Sequence, residues 1–206
     1  MGKLTLTTFL TLDGVMQAPG GPDEDRSGGF PYGGWVVPYA DEGMGVFVTE
    51  VFERAGAFLL GRRTYEIFAG YWPQITDPVD PVASRLNGLP KYVASTTLKD
   101  PAWAGTTVVD GEHLQSEITR VKDALEGTRE LQVHGSGALA QWLLARDLVD
   151  ELNLLLFPVF LGTGRRLFPT GGLPTACELI GSRTTPNGIA IQSYRPTGRA
   201  TFGSFV

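Results

Sequence analysis

The sequence predicts an α/β protein, a sandwich of helices around a mostly parallel sheet that ends in an antiparallel hairpin. Short apolar runs alternate with amphipathic helical segments along most of the chain, as βα units require. The run from Leu152 to Phe157 is continuously apolar, the mark of a strand covered on both faces. Near the C-terminus, Pro186-Asn187-Gly188 separates two β-like runs, and Asn-Gly in that setting signals a hairpin.

The elements follow in order. Lys3 to Leu12 alternates leucine with threonine and reads as a strand. A long irregular stretch from Asp13 to about Asp41, rich in Gly, Pro and aromatics, reads as a functional loop. Val48, Val51, Phe52 and Ala55 share one helical face, with Gly56 expected as the C-cap. Ala57 to Leu60 is a strand, and a glycine-opened helix runs from Arg62 to a stop before Pro73. Tyr92 to Ser95 and Thr106 to Val109 read as short strands. Leu114, Ile118, Val121 and Leu125 line a helix closed by Gly127. Leu131 to His134 is a strand, and Ala138, Leu139, Trp142, Leu143 and Ala145 line the next helix. Glu178 to Thr184 and Ile189 to Arg195 are the hairpin strands. With no break in the alternation, residues 1–206 are expected to form a single domain.

Composition excludes several classes of function. With 17 basic and 22 acidic residues, the net charge of −5 argues against nucleic acid or an anionic membrane as partner. No apolar run approaches a membrane span, and the amino terminus is too polar for a signal peptide. One cysteine, Cys177, and two histidines, His113 and His134, leave no disulfide and no Cys/His zinc cage, so no metal is expected. A soluble chain of this kind fits the cytoplasm. The 27 glycines and 14 prolines are about a fifth of the 206 residues, and their placement directs attention to the strand ends.

Three strand-to-helix or strand-to-loop junctions carry residues suited to phosphate. Gly61-Arg62-Arg63-Thr64 opens a helix with two guanidinium groups and a hydroxyl. Ser95-Thr96-Thr97 places three hydroxyls after a strand. Gly135-Ser136-Gly137-Ala138-Leu139 lets a phosphate approach the backbone closely. Each alone is a common turn or helix start. Together, at the carboxyl ends of strands where α/β sheets bind ligands, they suggest an extended ligand with several phosphates, which a dinucleotide fits. A Rossmann fingerprint is disfavoured, because the nearest acids, Asp150 and Glu151, open the next strand instead of ending it.

In this order, Thr11-Leu12-Asp13-Gly14, Leu60-Gly61-Arg62-Arg63-Thr64-Tyr65-Glu66, Val93-Ala94-Ser95, Val133-His134-Gly135-Ser136-Gly137, Asp150-Glu151-Leu152 and Pro158-Val159-Phe160-Leu161-Gly162 span nearly the whole chain. The pattern resembles the dihydrofolate reductase-like superfamily, in particular the branch of the riboflavin-biosynthesis reductase domain. The resemblance implies a three-layer αβα fold, NADPH as cofactor and a homodimer. It implies that Gly61, Arg62, Arg63 and Thr64 cradle phosphates, that Ser95 and Thr96 lie near the adenosine 2′-phosphate, and that Gly135, Ser136, Gly137, Ala138 and Leu139 hold the pyrophosphate and nicotinamide half. Asp13 would end the first strand close to the nicotinamide, although Leu-Asp-Gly is also a plain turn signal.

For the substrate, Trp35, Pro38 and Asp41 loosely echo the Trp-x-x-Pro-x-Asp arrangement of folate-type reductases, out of register. Asp41 is therefore a candidate catalytic carboxylate or a helix N-cap. His134 replaces a glutamate of the riboflavin-type domains, and Val15 stands where they carry a basic residue. Trp35 and His134 are candidate substrate contacts; a packed strand-end histidine is the alternative for the latter. The expectation is an NADPH-dependent reductase of a small heterocyclic, pterin- or pyrimidine-like, or carbonyl substrate. The alternative is a non-catalytic NADP(H)- or nucleotide-binding protein on the same fold.

Overall fold

A computed structural model describes residues 2–205; the two termini of the expected domain, Met1 and Val206, lie outside the described residues. Among the described residues, eight strands form one sheet in the order β4-β3-β2-β5-β1-β6-β8-β7. They are β1 (Lys3–Thr11), β2 (Ala55–Gly61), β3 (Lys91–Ala94), β4 (Thr106–Val109), β5 (Glu130–His134), β6 (Glu151–Phe157), β7 (Thr175–Thr184) and β8 (Ala190–Arg199). The first six run parallel, and β8 joins β6 antiparallel, with Leu152 opposite Tyr194 and Leu156 opposite Ala190. The Asn187-Gly188 turn closes the β7–β8 hairpin, with Gly188 at φ +84°.

Among the described residues, five α-helices complete the layers: α1 (Glu42–Glu53), α2 (Arg62–Ala69), α3 (Pro81–Gly88), α4 (Leu114–Ala124) and α5 (Gly137–Leu144). The alternation of side chains along each strand divides the core in two. Leu4, Leu6, Leu59, Leu131, Val133 and Leu152 face α4 and α5, meeting Ile118, Val121, Leu139 and Leu143. The alternate positions, among them Phe58, Leu60, Leu155 and Phe157, face α1, α2 and α3 and meet Phe47, Val51, Phe52, Tyr65 and Leu86. Burying each such side chain stabilises the fold by about 1.5–3 kcal/mol. The result is the expected three-layer sandwich.

Two local expectations are corrected. Gly56 does not cap α1; Arg54 does, and Gly56 already lies in β2. A Cβ at Gly56 would sit 2.5 Å from Leu125 Cδ2 and 2.9 Å from Arg129 Cβ, so glycine is there for close approach. The helix α3 was not anticipated, because its eight residues follow a loop of prolines. Its start is nonetheless written in Asp80-Pro81: the Asp80 carboxylate accepts from the N–H of Val82 and Ala83, both at 2.9 Å, and proline takes the first helical position.

Candidate active site

The parallel strands bring their carboxyl ends to one edge, and the three phosphate-suited junctions meet there. Gly61 ends β2 and starts α2; the Gly135-Ser136 turn ends β5 and starts α5. The two starts are tied directly: the Gly61 N–H donates to Ser136 Oγ at 3.0 Å, and that hydroxyl donates to the His134 carbonyl at 3.1 Å. Gly135 and Ser136 are both left-handed, at φ +57° and +55°. For serine this costs roughly 1–2 kcal/mol, and it lets the chain double back so that α5 begins beside α2. Thr64 Oγ1 lies 3.9 Å from where a Cβ of residue 135 would be, and Met16 Sδ lies 3.1 Å from the Cβ position of Gly137. Neither helix start has a side-chain cap, so the N–H groups of both first turns are left to solvent or to an anion.

The expected pair of arginines separates. Arg62 donates through Nε to Glu66 at 2.8 Å and through Nη1 to Thr97 Oγ1 at 2.5 Å, at the end of β3. Ser95 spends its hydroxyl on its own turn, accepting from the N–H of Thr97 and Leu98; Thr96 is exposed beside it. Arg63 reaches the other way, to Asp25 Oδ2 at 3.0 Å and Ser27 Oγ at 3.1 Å in the long loop. Ala138 and Leu139 lie in the first turn of α5, with Leu139 buried in the core.

Asp13 stands at the carboxyl end of β1, as expected, and its carboxylate is fully engaged. It accepts from the Thr11 hydroxyl at 2.6 Å, from the N–H groups of Leu161 and Gly162, and from Arg166 at 3.2 Å. Desolvation works to raise its pKa, but the Thr11 hydroxyl and the Leu161 and Gly162 N–H groups outweigh it and hold the pKa at about 2. These contacts suit a clamp between β1 and the segment after β6, and they leave no proton to donate near neutrality.

Asp41 behaves as the N-cap alternative describes. It accepts from the Met44 N–H at 2.9 Å, and its second oxygen accepts from the Asn187 N–H at 2.8 Å, tying α1 to the β7–β8 turn. Desolvation raises its pKa, but the Asn187 N–H, the Thr185 hydroxyl and the N–H groups of Met44 and Gly43 bring the net pKa below the usual carboxylate range.

The two expected substrate contacts are both interior. The strand parity that turns Leu131 and Val133 toward α5 turns Glu130, Gln132 and His134 under α1. There the His134 ring stacks on Phe52, 4.5 Å between centroids, with Nε2 3.1 Å from Gln132 Oε1, and burial lowers its pKa to about 4. Trp35 packs edge-on against Phe157 at 5.4 Å and donates through Nε1 to the Gln17 carbonyl at 2.8 Å. It fastens the loop to the sheet.

At the same edge of the sheet, between the N-terminal turns of α1 and α3, opens a cavity of about 520 Å³. Ala40, Asp41, Met44, Val48, Asp80 and Val82 are among the residues lining this open cleft. Among the described residues, no three His, Cys, Asp or Glu side chains converge as a metal site requires. No helix among them is long and apolar enough to cross a membrane.

Sequence reasoning missed Gln17, Asp25 and Arg165. Gln17 is buried and organises the loop, donating to the carbonyls of Asp25 and Ser27 and accepting from the Arg165 N–H. Arg165 was discoverable, because Gly164-Arg165-Arg166 repeats, after β6, the Gly-Arg-Arg pattern noticed after β2. Nothing local in Asp23-Glu24-Asp25 distinguished the carboxylate that both arginines would find.

Comparison with known proteins agrees with this architecture. The family model described as the RibD C-terminal domain matches residues 2–191. The Bacillus subtilis (strain 168) protein YyaP is 22% identical over 95% of this chain and 96% of its own length. A solved structure of a protein assigned to riboflavin biosynthesis, from Shewanella sp. PV-4, superposes with a TM-score of 0.67 at 23% identity, covering 95% of this chain and 99% of that one. Dihydrofolate reductase from Enterococcus faecalis, solved in complex with NADP(H) and RAB-propyl, superposes with a TM-score of 0.57 at 15% identity, covering 94% and 96%. The fold is therefore dihydrofolate reductase-like.

Proposed function

The chain belongs to the RibD C-terminal domain family, and from that premise we propose that it is an NADPH-dependent reductase of a small heterocyclic, pterin- or pyrimidine-like, or carbonyl substrate. One observation carries the reading. Two uncapped helix starts, α2 and α5, are joined by the Gly61–Ser136 bond, and Arg62 stands beside Thr97 at the next strand end. The left-handed Gly135 admits a phosphate close to the backbone, in space that a Cβ would take. These residues fit a phosphorylated dinucleotide: the α2 and α5 starts for the pyrophosphate, Arg62 and Thr97 for a 2′-phosphate. When bound, such a cofactor supplies the hydride. The chain's own residues position it, and the cavity between α1 and α3 receives the substrate at the same edge.

Losing one charge-assisted contact costs about 1.5–3 kcal/mol, or roughly 10–100-fold in affinity. Arg62→Ala is therefore expected to weaken NADPH by that factor and leave NADH nearly unchanged. Equal losses for both cofactors would remove the 2′-phosphate from Arg62. A second reading, an NADP(H)-binding protein without turnover, is favoured by the engaged carboxylates of Asp13 and Asp41. Tight NADPH binding with no oxidation across a panel of pterins, pyrimidines, quinones and aldehydes would select it.

A further inference from the structure

The loop between β1 and α1 is anchored at one point by two cations from opposite sides. Asp25 Oδ2 accepts from Arg63, in the first turn of α2, and from Arg165, in the segment after β6; Ser27 Oγ contacts both guanidinium groups, at 3.1 and 2.5 Å. Beneath them, Gln17 holds the carbonyls of Asp25 and Ser27 at 3.1 and 3.0 Å. The Arg165 carbonyl accepts from the Met16 N–H, and Met16 abuts Gly137 at the start of α5. The Asp25–Ser27 segment thus links the start of α2 to the segment beside the start of α5.

The charges there do not balance. Arg62 has Glu66, Arg166 has Asp13 and Arg26 has Asp23, but Arg63 and Arg165 share a single carboxylate. Two guanidinium forks converging on two oxygens form the geometry in which arginines bind phosphate. Asp25 is only 9% exposed, whereas the arginines are about half exposed, so an incoming anion can reach the cations.

We propose that Arg63 and Arg165 form a phosphate subsite for which Asp25 is the built-in placeholder, so that a ligand phosphate takes both guanidinium groups and releases the Asp25–Ser27 segment. The proposal rests on the ligand class inferred above, a phosphorylated molecule at this edge, and adds the residue Arg165 and the competition with Asp25. The phosphate belongs either to the dinucleotide or to a phosphorylated substrate.

The test measures affinities of the wild type, Asp25→Asn and Arg165→Gln for NADPH and for ribose 5-phosphate by calorimetry. Trypsin cleavage after Arg26 is followed with and without inorganic pyrophosphate, against chloride of matched ionic strength. Asparagine keeps the acceptor for the Ser27 N–H while removing the competing charge. Asp25→Asn is expected to tighten one phosphate ligand about tenfold, and Arg165→Gln to weaken the same ligand about tenfold. A gain for NADPH places the cofactor in the subsite; a gain for ribose 5-phosphate alone places the substrate there. In the wild type, which needs no variant to fold, pyrophosphate is expected to speed cleavage after Arg26. Unchanged affinities for both ligands in Asp25→Asn, or cleavage indifferent to pyrophosphate, overturns the subsite. Failure of the wild type to bind NADPH, with pyrophosphate still releasing the segment, overturns the reductase reading and leaves the subsite standing.

Discussion

His134 shows how one residue's setting decides between chemistry and structure. Its neighbours in sequence, Gly135 and Ser136, belong to the candidate cofactor groove, yet its ring is stacked on Phe52 beneath α1. The sequence placed it at a strand end correctly but could not assign a face, because strand parity was readable only once Leu131 and Val133 were seen to face α5. The consequence is a pH dependence. Burial holds the pKa at about 4 against an unfolded value near 6.5, so between those limits the unfolded chain binds a proton that the folded chain refuses. Stability is lost as pH falls through that window, by up to about 3 kcal/mol. Chemical denaturation of wild type and His134→Gln at pH 7 and pH 4.5 is expected to show a gap that narrows with acidity. A gap independent of pH would contradict the buried neutral imidazole.

The elements carrying strong periodicity were legible, and those depending on partners or caps were not. β6 and the Asn187-Gly188 hairpin were readable because apolar runs and Asn-Gly turns depend on local chemistry. The boundary at Gly56 was misplaced because the reason for that glycine is distant in sequence: Leu125 and Arg129 leave no room for a Cβ. Helix α3 escaped because prolines 78, 81 and 90 punctuate its stretch of chain, and its evidence is concentrated in the Asp80 cap. Asp80→Ala is expected to cost about 1 kcal/mol in global stability, by loss of two N–H acceptors. It should also alter the cavity between α1 and α3, which Asp80 lines. An unchanged denaturation midpoint would show that α3 contributes nothing to the cooperative unit. The candidate site divides the same way. Its glycines and first arginine pair were visible as local motifs, whereas the Arg165–Asp25 meeting joins positions 140 apart and needs the folded sheet.

At the scale of the whole molecule, β7 forms one border of the sheet, and most of its side chains are exposed, Leu179 among them. Phe202 and Phe205 beyond it are also exposed. Such an edge pairs readily with another chain, and the homodimer that the resemblance implies would form across it. Light scattering is expected to give about twice the 22.2 kDa chain mass, falling toward one chain on Leu179→Lys; a monomer at all concentrations contradicts the dimer. The central claim concerns the opposite feature, the carboxyl edge of the parallel strands, where α2 and α5 begin side by side. Its most direct test is an equilibrium titration of the wild type with NADPH and NADH under identical conditions. The account expects saturable one-site binding of NADPH, tighter than NADH by at least about tenfold. Equal affinity for the two, or binding of neither, would contradict it.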